Sequence, residues 1–299
     1  MPLRSILRTS MEGAATMSGI AALARRLTPD RTAILAWHNV VHPEEAGIGD
    51  SSLHLPLPLF IRQVEHIART HEIVPLDEAL QSNGKKQRRP NAVLTFDDAY
   101  RGAVTLALPE LRKRGLPATV FTAPALLGKP STWWDDLAAA GILSDEIRDT
   151  ALEQHAGRAH EVRTAFLTDI PRLLPGNFGI ATENELRANT RDGITIGSHS
   201  WAHEHLPSLE REELKQNLQQ TMKWLEASGL PHTKYLSLPY GATSTSVEDV
   251  AREAGHPAVL LVSGGRTHRH QNGARIPRIN IPAGMSVRGL DLRLSGLKG

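Results

Sequence analysis

The 299-residue chain has no cysteine. Disulfides, thiolate metal sites and cysteine nucleophiles are therefore excluded, while the compartment stays open. Aromatic residues make up only 4%, so the adjacent pair Trp133-Trp134 stands out. No stretch approaches the roughly 20 consecutive apolar residues of a membrane-spanning helix. Near the N-terminus, Arg4 and Arg8 precede an Ala/Gly/Met-rich stretch that is broken by Glu12, Ser18 and Arg25. That pattern lacks the continuous apolar core of a secretory signal, so a cytoplasmic location is expected. Residues 1–30 read as an extension, with an amphipathic helix over residues 17–27. A strong charge bias is missing too: Lys and Arg total 34 against 32 Asp and Glu, a net charge of +2. Nucleic acid is accordingly not expected as a partner. The one dense basic run, Lys85, Lys86, Arg88 and Arg89, reads as a solvated loop.

What is present is ordinary for a globular protein, with 40% hydrophobic and 22% charged residues. Short apolar runs occur at residues 33–37, 92–96, 118–121, 194–197, 235–238, 258–262 and 276–281. Between them lie helical patterns, such as Phe60, Val64 and Ile67, or Leu214, Leu218, Met222 and Leu225. Alternating strands and helices predict an α/β fold with a mostly parallel sheet. Seven or eight strands favour a distorted (β/α)7–8 barrel over residues 31–299, with chemistry at the C-terminal ends of its strands. Residues 130–191 break the rhythm and read as a helical insertion between two barrel strands.

Two motifs follow apolar runs. In Thr95-Phe96-Asp97-Asp98 two adjacent carboxylates end a strand, and like charges so close need a cation or proton between them. Asp98 could alternatively cap a helix starting at Tyr100. In Gly197-Ser198-His199-Ser200-Trp201-Ala202-His203 two histidines stand four apart, a spacing that places both on one face of a helical turn. A satisfied polar cluster is the competing explanation, and His205 is a nearby candidate off that face. Jointly the motifs supply one Asp and two His, a donor set for zinc or another borderline divalent cation. They also leave Asp97 as a spare carboxylate to act as base.

On these motifs, together with Pro239-Tyr240-Gly241 at the end of a third strand, the sequence resembles the NodB-homology polysaccharide deacetylases of carbohydrate esterase family 4. The resemblance spans about residues 33–282. It implies a metal site of Asp98, His199 and His203, holding zinc by default with nickel, cobalt or manganese as alternatives. It further implies Asp97 as general base and the backbone N–H of Tyr240, beside Pro239, as oxyanion donor. The expected activity is hydrolysis of N-acetyl groups on an amino sugar of a glycan or glycan precursor. Attack on a small amide or O-acetyl ester is the alternative within the fold, and non-catalytic glycan binding is the alternative outside catalysis.

The chain departs from the commoner family pattern. No arginine precedes Pro239, and past Val262 the only histidines are His268 and His270, in a polar stretch. His38 instead ends the first strand, in Trp37-His38-Asn39-Val40. This resembles the circularly permuted poly-N-acetylglucosamine deacetylase subgroup and implies His38 as general acid. Arg278, in the last strand, is a candidate replacement for the missing arginine that orients the base. Trp133 and Trp134 either stack on a sugar or staple the insertion to the barrel.

Overall fold

The computed structural model describes Gly19 and residues 31–81, 89–168, 173–268 and 275–297. The expected helix over residues 17–27, most of the basic run and His270 fall outside the described residues. The strands are β1 (Arg31–Trp37), β2 (Asn39–Val41), β3 (His54–Pro56), β4 (Glu72–Ile73), β5 (Asn91–Phe96), β6 (Ala118–Thr122), β7 (Ile194–Ser198), β8 (His232–Ser237), β9 (Val259–Gly264), β10 (Thr267–His268) and β11 (Arg275–Asn280).

Parallel pairings run β1–β11–β9–β8–β7–β6–β5 and then back from β5 to β1, which closes a barrel. Because β1 occupies one edge of β5 along residues 92–96, β4 pairs with the start of the other edge. The antiparallel β10 leans on the outside of β1, and β2 and β3 form a separate parallel ribbon. All seven apolar runs found in the sequence lie in or overlap these barrel strands.

Why such runs become barrel strands follows from burial on both faces. Ala33, Leu35 and Trp37 of β1 join Leu94 and Phe96 of β5 and pack outward on the helix Leu57–Thr70 through Phe60, Val64 and Ile67. Ile34, Val93, Phe121, Tyr235, Leu260 and Ile276 belong to a different cluster, which fills the interior. Leu76 and Ala79 complete it at the N-terminal end. One glycine is dictated by that filling: a Cβ on Gly197 would lie 2.6 Å from the Phe121 ring.

The insertion between β6 and β7 contributes the helices Trp133–Ala139, Asp145–His155, Ala159–Phe166 and Glu183–Asn189. Ser144 caps the second through its side chain, and Thr182 caps the fourth in a capping box with Glu185. Gly179 and Ala181 exchange backbone hydrogen bonds with Arg101 and Ala99, tying the insertion to the loop after β5. No helix among the described residues is long and apolar enough to cross a membrane.

Candidate metal centre and catalytic cleft

Every site residue read from the sequence motifs sits at the C-terminal end of a barrel strand. Asp97 and Asp98 follow β5, His199 and His203 follow β7, Pro239 and Tyr240 follow β8, and His38 follows β1. The backbone there is strained. Asp98, Ala99, Ser200, His203 and Tyr240 all have positive φ, between 56° and 70°. Non-glycine residues rarely adopt this region, and such strain concentrates where function requires it.

The ligand atoms of Asp98, His199 and His203 lie within 4.8 Å of one another, and all three residues are buried. Asp98 Oδ1 is 2.9 Å from His203 Nε2 and 3.3 Å from His199 Nε2. His199 Nδ1 lies 2.7 Å from the Ser237 carbonyl, which can only accept, so that nitrogen carries the proton. In the neutral ring, Nε2 then turns a lone pair toward a carboxylate oxygen. Acceptor facing acceptor requires a positive charge between them, and two imidazoles plus one carboxylate are a donor set that fits a divalent cation. Asp98 Oδ1 and His203 Nδ1 also lack a well-aligned hydrogen bond among the described residues. Burial raises the Asp98 pKa, but His203 and the bonds from both rings outweigh it and hold it well below the usual carboxylate range.

Asp97 does not face those ligands as a fourth member. Arg278, fully buried, grips it with both ends of its fork: Nη2 donates to Oδ2 at 2.6 Å and Nη1 to Oδ1 at 2.9 Å. The guanidinium is itself fixed by Leu261 O at 2.7 Å and Ser237 Oγ at 2.8 Å, and stands 5.6 Å from the Phe121 ring centre. A register shift between β9 and β11 falls at Ile276 and Arg278, the kind of bulge that re-aims a side chain. Burial raises the Asp97 pKa, yet Arg278 and His199 bring the balance below its ordinary value. Asp97 is thus ionised at neutral pH and can accept a proton.

A cavity of about 310 Å³ opens over this cluster. His38, Asp97, Asp98, His199 and His203 line it from the barrel, as do Leu238, Tyr240, Val262 and Asn280. Leu53, Trp134, Arg148 and Leu152 form the remaining wall. His205 stays outside, with Nδ1 2.6 Å from Ser208 Oγ.

The two tryptophans separate. Trp133 is 1% exposed, packs with Leu137, Ala151 and Val162, and donates from Nε1 to the Tyr240 hydroxyl. Its faces are covered, which corrects the sugar-stacking expectation for Trp133: it staples the insertion to the Pro239-Tyr240-Gly241 turn. Trp134 borders the cavity, packs 4.8 Å from the His203 ring and donates to the Tyr100 hydroxyl. Sequence reasoning missed Ser237, Asn280 and Arg148. The first two end barrel strands, so the strand-end rule pointed to them. Arg148 lies inside a polar helix and carried no signal.

Known proteins resemble this chain in sequence and in fold. Residues 84–259, more than half of the chain, match the polysaccharide deacetylase family. A 68-residue stretch is 37% identical to chitin deacetylase 1 of Saccharomyces cerevisiae, covering 23% of each protein. The fold is similar to that of Streptococcus pyogenes deacetylase PplD, solved in complex with acetate, with TM-score 0.63 and 17% identity over 89% of this chain and 99% of that one. It is equally similar to IcaB from Ammonifex degensii, with TM-score 0.64 and 14% identity over 89% and 97%. His38 and Arg278 lie outside the matched span, yet the barrel closure between β5, β1 and β11 returns them to the same rim. The chain belongs to the polysaccharide deacetylase family.

Proposed function

We propose that the chain hydrolyses the acetamide of an N-acetylated amino sugar, in a glycan or glycan precursor, with a divalent cation at Asp98, His199 and His203. One observation carries this reading: a buried carboxylate, Asp97, is held ionised by a bidentate arginine at the edge of a convergent Asp–His–His set. A binding module has no use for a base in that position. When bound, a cation there (zinc by default, with nickel, cobalt or manganese also compatible) supplies Lewis-acid polarisation of the acetyl carbonyl and acidifies water.

The chain's own residues do the rest. Asp97 accepts a proton from the attacking water while the Arg278 fork keeps its oxygens oriented. The Ser237 carbonyl keeps the proton of His199 on Nδ1, so Nε2 stays available as a ligand atom. The backbone N–H of Tyr240 is assigned to the oxyanion that develops on the acetyl oxygen. His38, on the same cleft, donates the proton that the leaving amine needs as the C–N bond breaks. The products are acetate and a free amino sugar.

The test is acetate release from a panel of N-acetylated sugars, their oligomers and O-acetyl esters, with chelation and metal add-back. Wild-type activity should vanish on chelation and return with metal. Asp97→Asn should keep its metal and lose about 10²- to 10⁴-fold in kcat, the usual span for a general base. Wild-type protein that binds metal but releases acetate from no member of the panel would reject the reading. Preference for the esters would shift it to O-deacetylation.

A further inference from the structure

Among the described residues Arg148 is the one arginine lining the catalytic cavity, and it comes from the insertion. It sits on the helix Asp145–His155, with Leu152 one turn on beside the same cavity. An arginine on a polar helix ordinarily samples many rotamers. This one does not, because a chain of contacts behind it sets its position.

Arg148 Nη2 donates to Asp50 Oδ2 at 2.7 Å. Asp50 Oδ1 accepts from the Ser52 backbone and hydroxyl at 3.1 and 2.7 Å, and the Asp50 N–H donates to Asp135 Oδ1 at 2.8 Å. Asp135 is completely buried and is also bonded by His54 Nε2, Tyr100 Oη and Thr132 Oγ1, at 2.8, 2.8 and 3.0 Å. The loop is moulded onto that carboxylate: Gly49 has φ +63°, and a Cβ there would stand 2.6 Å from Asp135 Oδ1. Burial raises the Asp50 pKa, but the Ser52 hydrogen bonds and Arg148 together bring it below its ordinary value, so Asp50 remains a carboxylate.

The result is a preorganised ion pair on a catalytic wall. Arg148 is 32% exposed and Asp50 11%. The guanidinium makes no other hydrogen bond to a described residue, so four of its five N–H groups remain for a ligand. An anionic ligand would meet the Asp50 charge beside it. A neutral ligand that offers both acceptors and donors, as vicinal sugar hydroxyls do, matches a guanidinium fork flanked by a carboxylate.

We propose that the Asp50–Arg148 pair is a specificity element that grips hydroxyl groups of a neutral glycan in the cleft, making the enzyme selective for an uncharged N-acetylated oligosaccharide. This deepens the proposed deacetylation and rests on it for the identity of the reaction. Losing a charge-assisted pair of hydrogen bonds should cost about tenfold or more in affinity.

The experiment compares wild type, Arg148→Gln and Arg148→Lys on an N-acetylglucosamine tetramer and on 4-nitrophenyl acetate. Both variants should raise KM for the tetramer at least tenfold with kcat within about threefold, and should lower kcat/KM for the tetramer at least tenfold more than for the ester. An equal fall on both substrates, or an unchanged tetramer KM, overturns the proposal. Calorimetric binding of the tetramer to Asp97→Asn, with and without Arg148→Gln, gives a readout independent of turnover. Weaker binding in the double variant supports the pair as a glycan grip even if no acetate is ever released, an outcome that would reject only the proposed reaction. Undiminished binding, or tighter binding of a C6-carboxylated tetramer than of the neutral one, overturns it.

Discussion

Two buried histidines at opposite rims of the barrel, His199 and His256, are shifted in opposite directions. At the C-terminal rim, burial pushes the His199 pKa down, but Asp97 and Asp98 outweigh it and leave it above its ordinary value. At the N-terminal rim, His256 leads into β9 with Nδ1 2.7 Å from the Lys234 carbonyl and, among the described residues, no carboxylate acting on it. Burial there drives the pKa down to about 4. His203 at the C-terminal rim also falls below its ordinary value, since burial outweighs Asp98 there, so the rims differ in the carboxylates beside the rings and not in the direction of every shift. Strained backbone, buried ions and lone pairs facing one another gather at the C-terminal rim. At the opposite end apolar packing dominates, with Asp77 accepting a hydrogen bond from Thr233 beside it.

Given this contrast, damage at the C-terminal rim should fall on chemistry first. The largest effect is expected for His38→Ala, with about a 10²- to 10⁴-fold loss of acetamide hydrolysis, the range for a general acid. The loss should shrink sharply on 4-nitrophenyl acetate, whose leaving group needs no proton. An equal loss on both substrates would remove His38 from that role.

Next comes the Asp97–Arg278 pair. Removing one partner leaves a buried charge uncompensated, so Arg278→Met should lower stability by about 3–5 kcal/mol in denaturant titration. Asp97→Leu combined with Arg278→Met should recover most of that stability and release no acetate. A double variant as unstable as the single one would mean that the pair supports the fold and not only the reaction.

At the N-terminal rim the expectation is confined to stability. The folded His256 pKa lies near 4, below its unfolded value near 6.5. A depressed folded pKa stabilises the protein above the unfolded pKa, and that contribution drains away as pH falls from 6.5 through 4. The loss amounts to about 3 kcal/mol, to be read from unfolding midpoints across that range. His256→Gln should flatten this part of the pH profile. A flat wild-type profile between pH 7 and 4 would erase the difference between the rims.

Much of this architecture is legible in the sequence. The seven barrel strands are short, apolar and separated by helical patterns, since strands of a parallel sheet are buried on both faces and leave little room for polar residues. Asp98, His199 and His203 were legible because local spacing constrains them: a strand end followed by a turn delivers ligands to one rim. His38 and Arg278 were legible as candidates only, because each is a single residue in a strand far from the motifs it would serve. Trp133 misled, since a tryptophan pair reads the same whether it faces sugar or packs an insertion. Arg148 was invisible, its place set by Asp50, Gly49 and a carboxylate, Asp135, 13 residues away on another helix.

Residue pattern alone determined a parallel α/β barrel, and it placed an acid pair and a histidine pair at strand ends, because burial and chain periodicity are local properties. Tertiary structure alone decided that Arg278 clamps Asp97, that the Trp133 faces are covered and that Arg148 enters the cleft. Each of those contacts joins residues whose nearness depends on barrel closure or insertion docking, and the geometry of a hydrogen bond exists only once both partners are held in place.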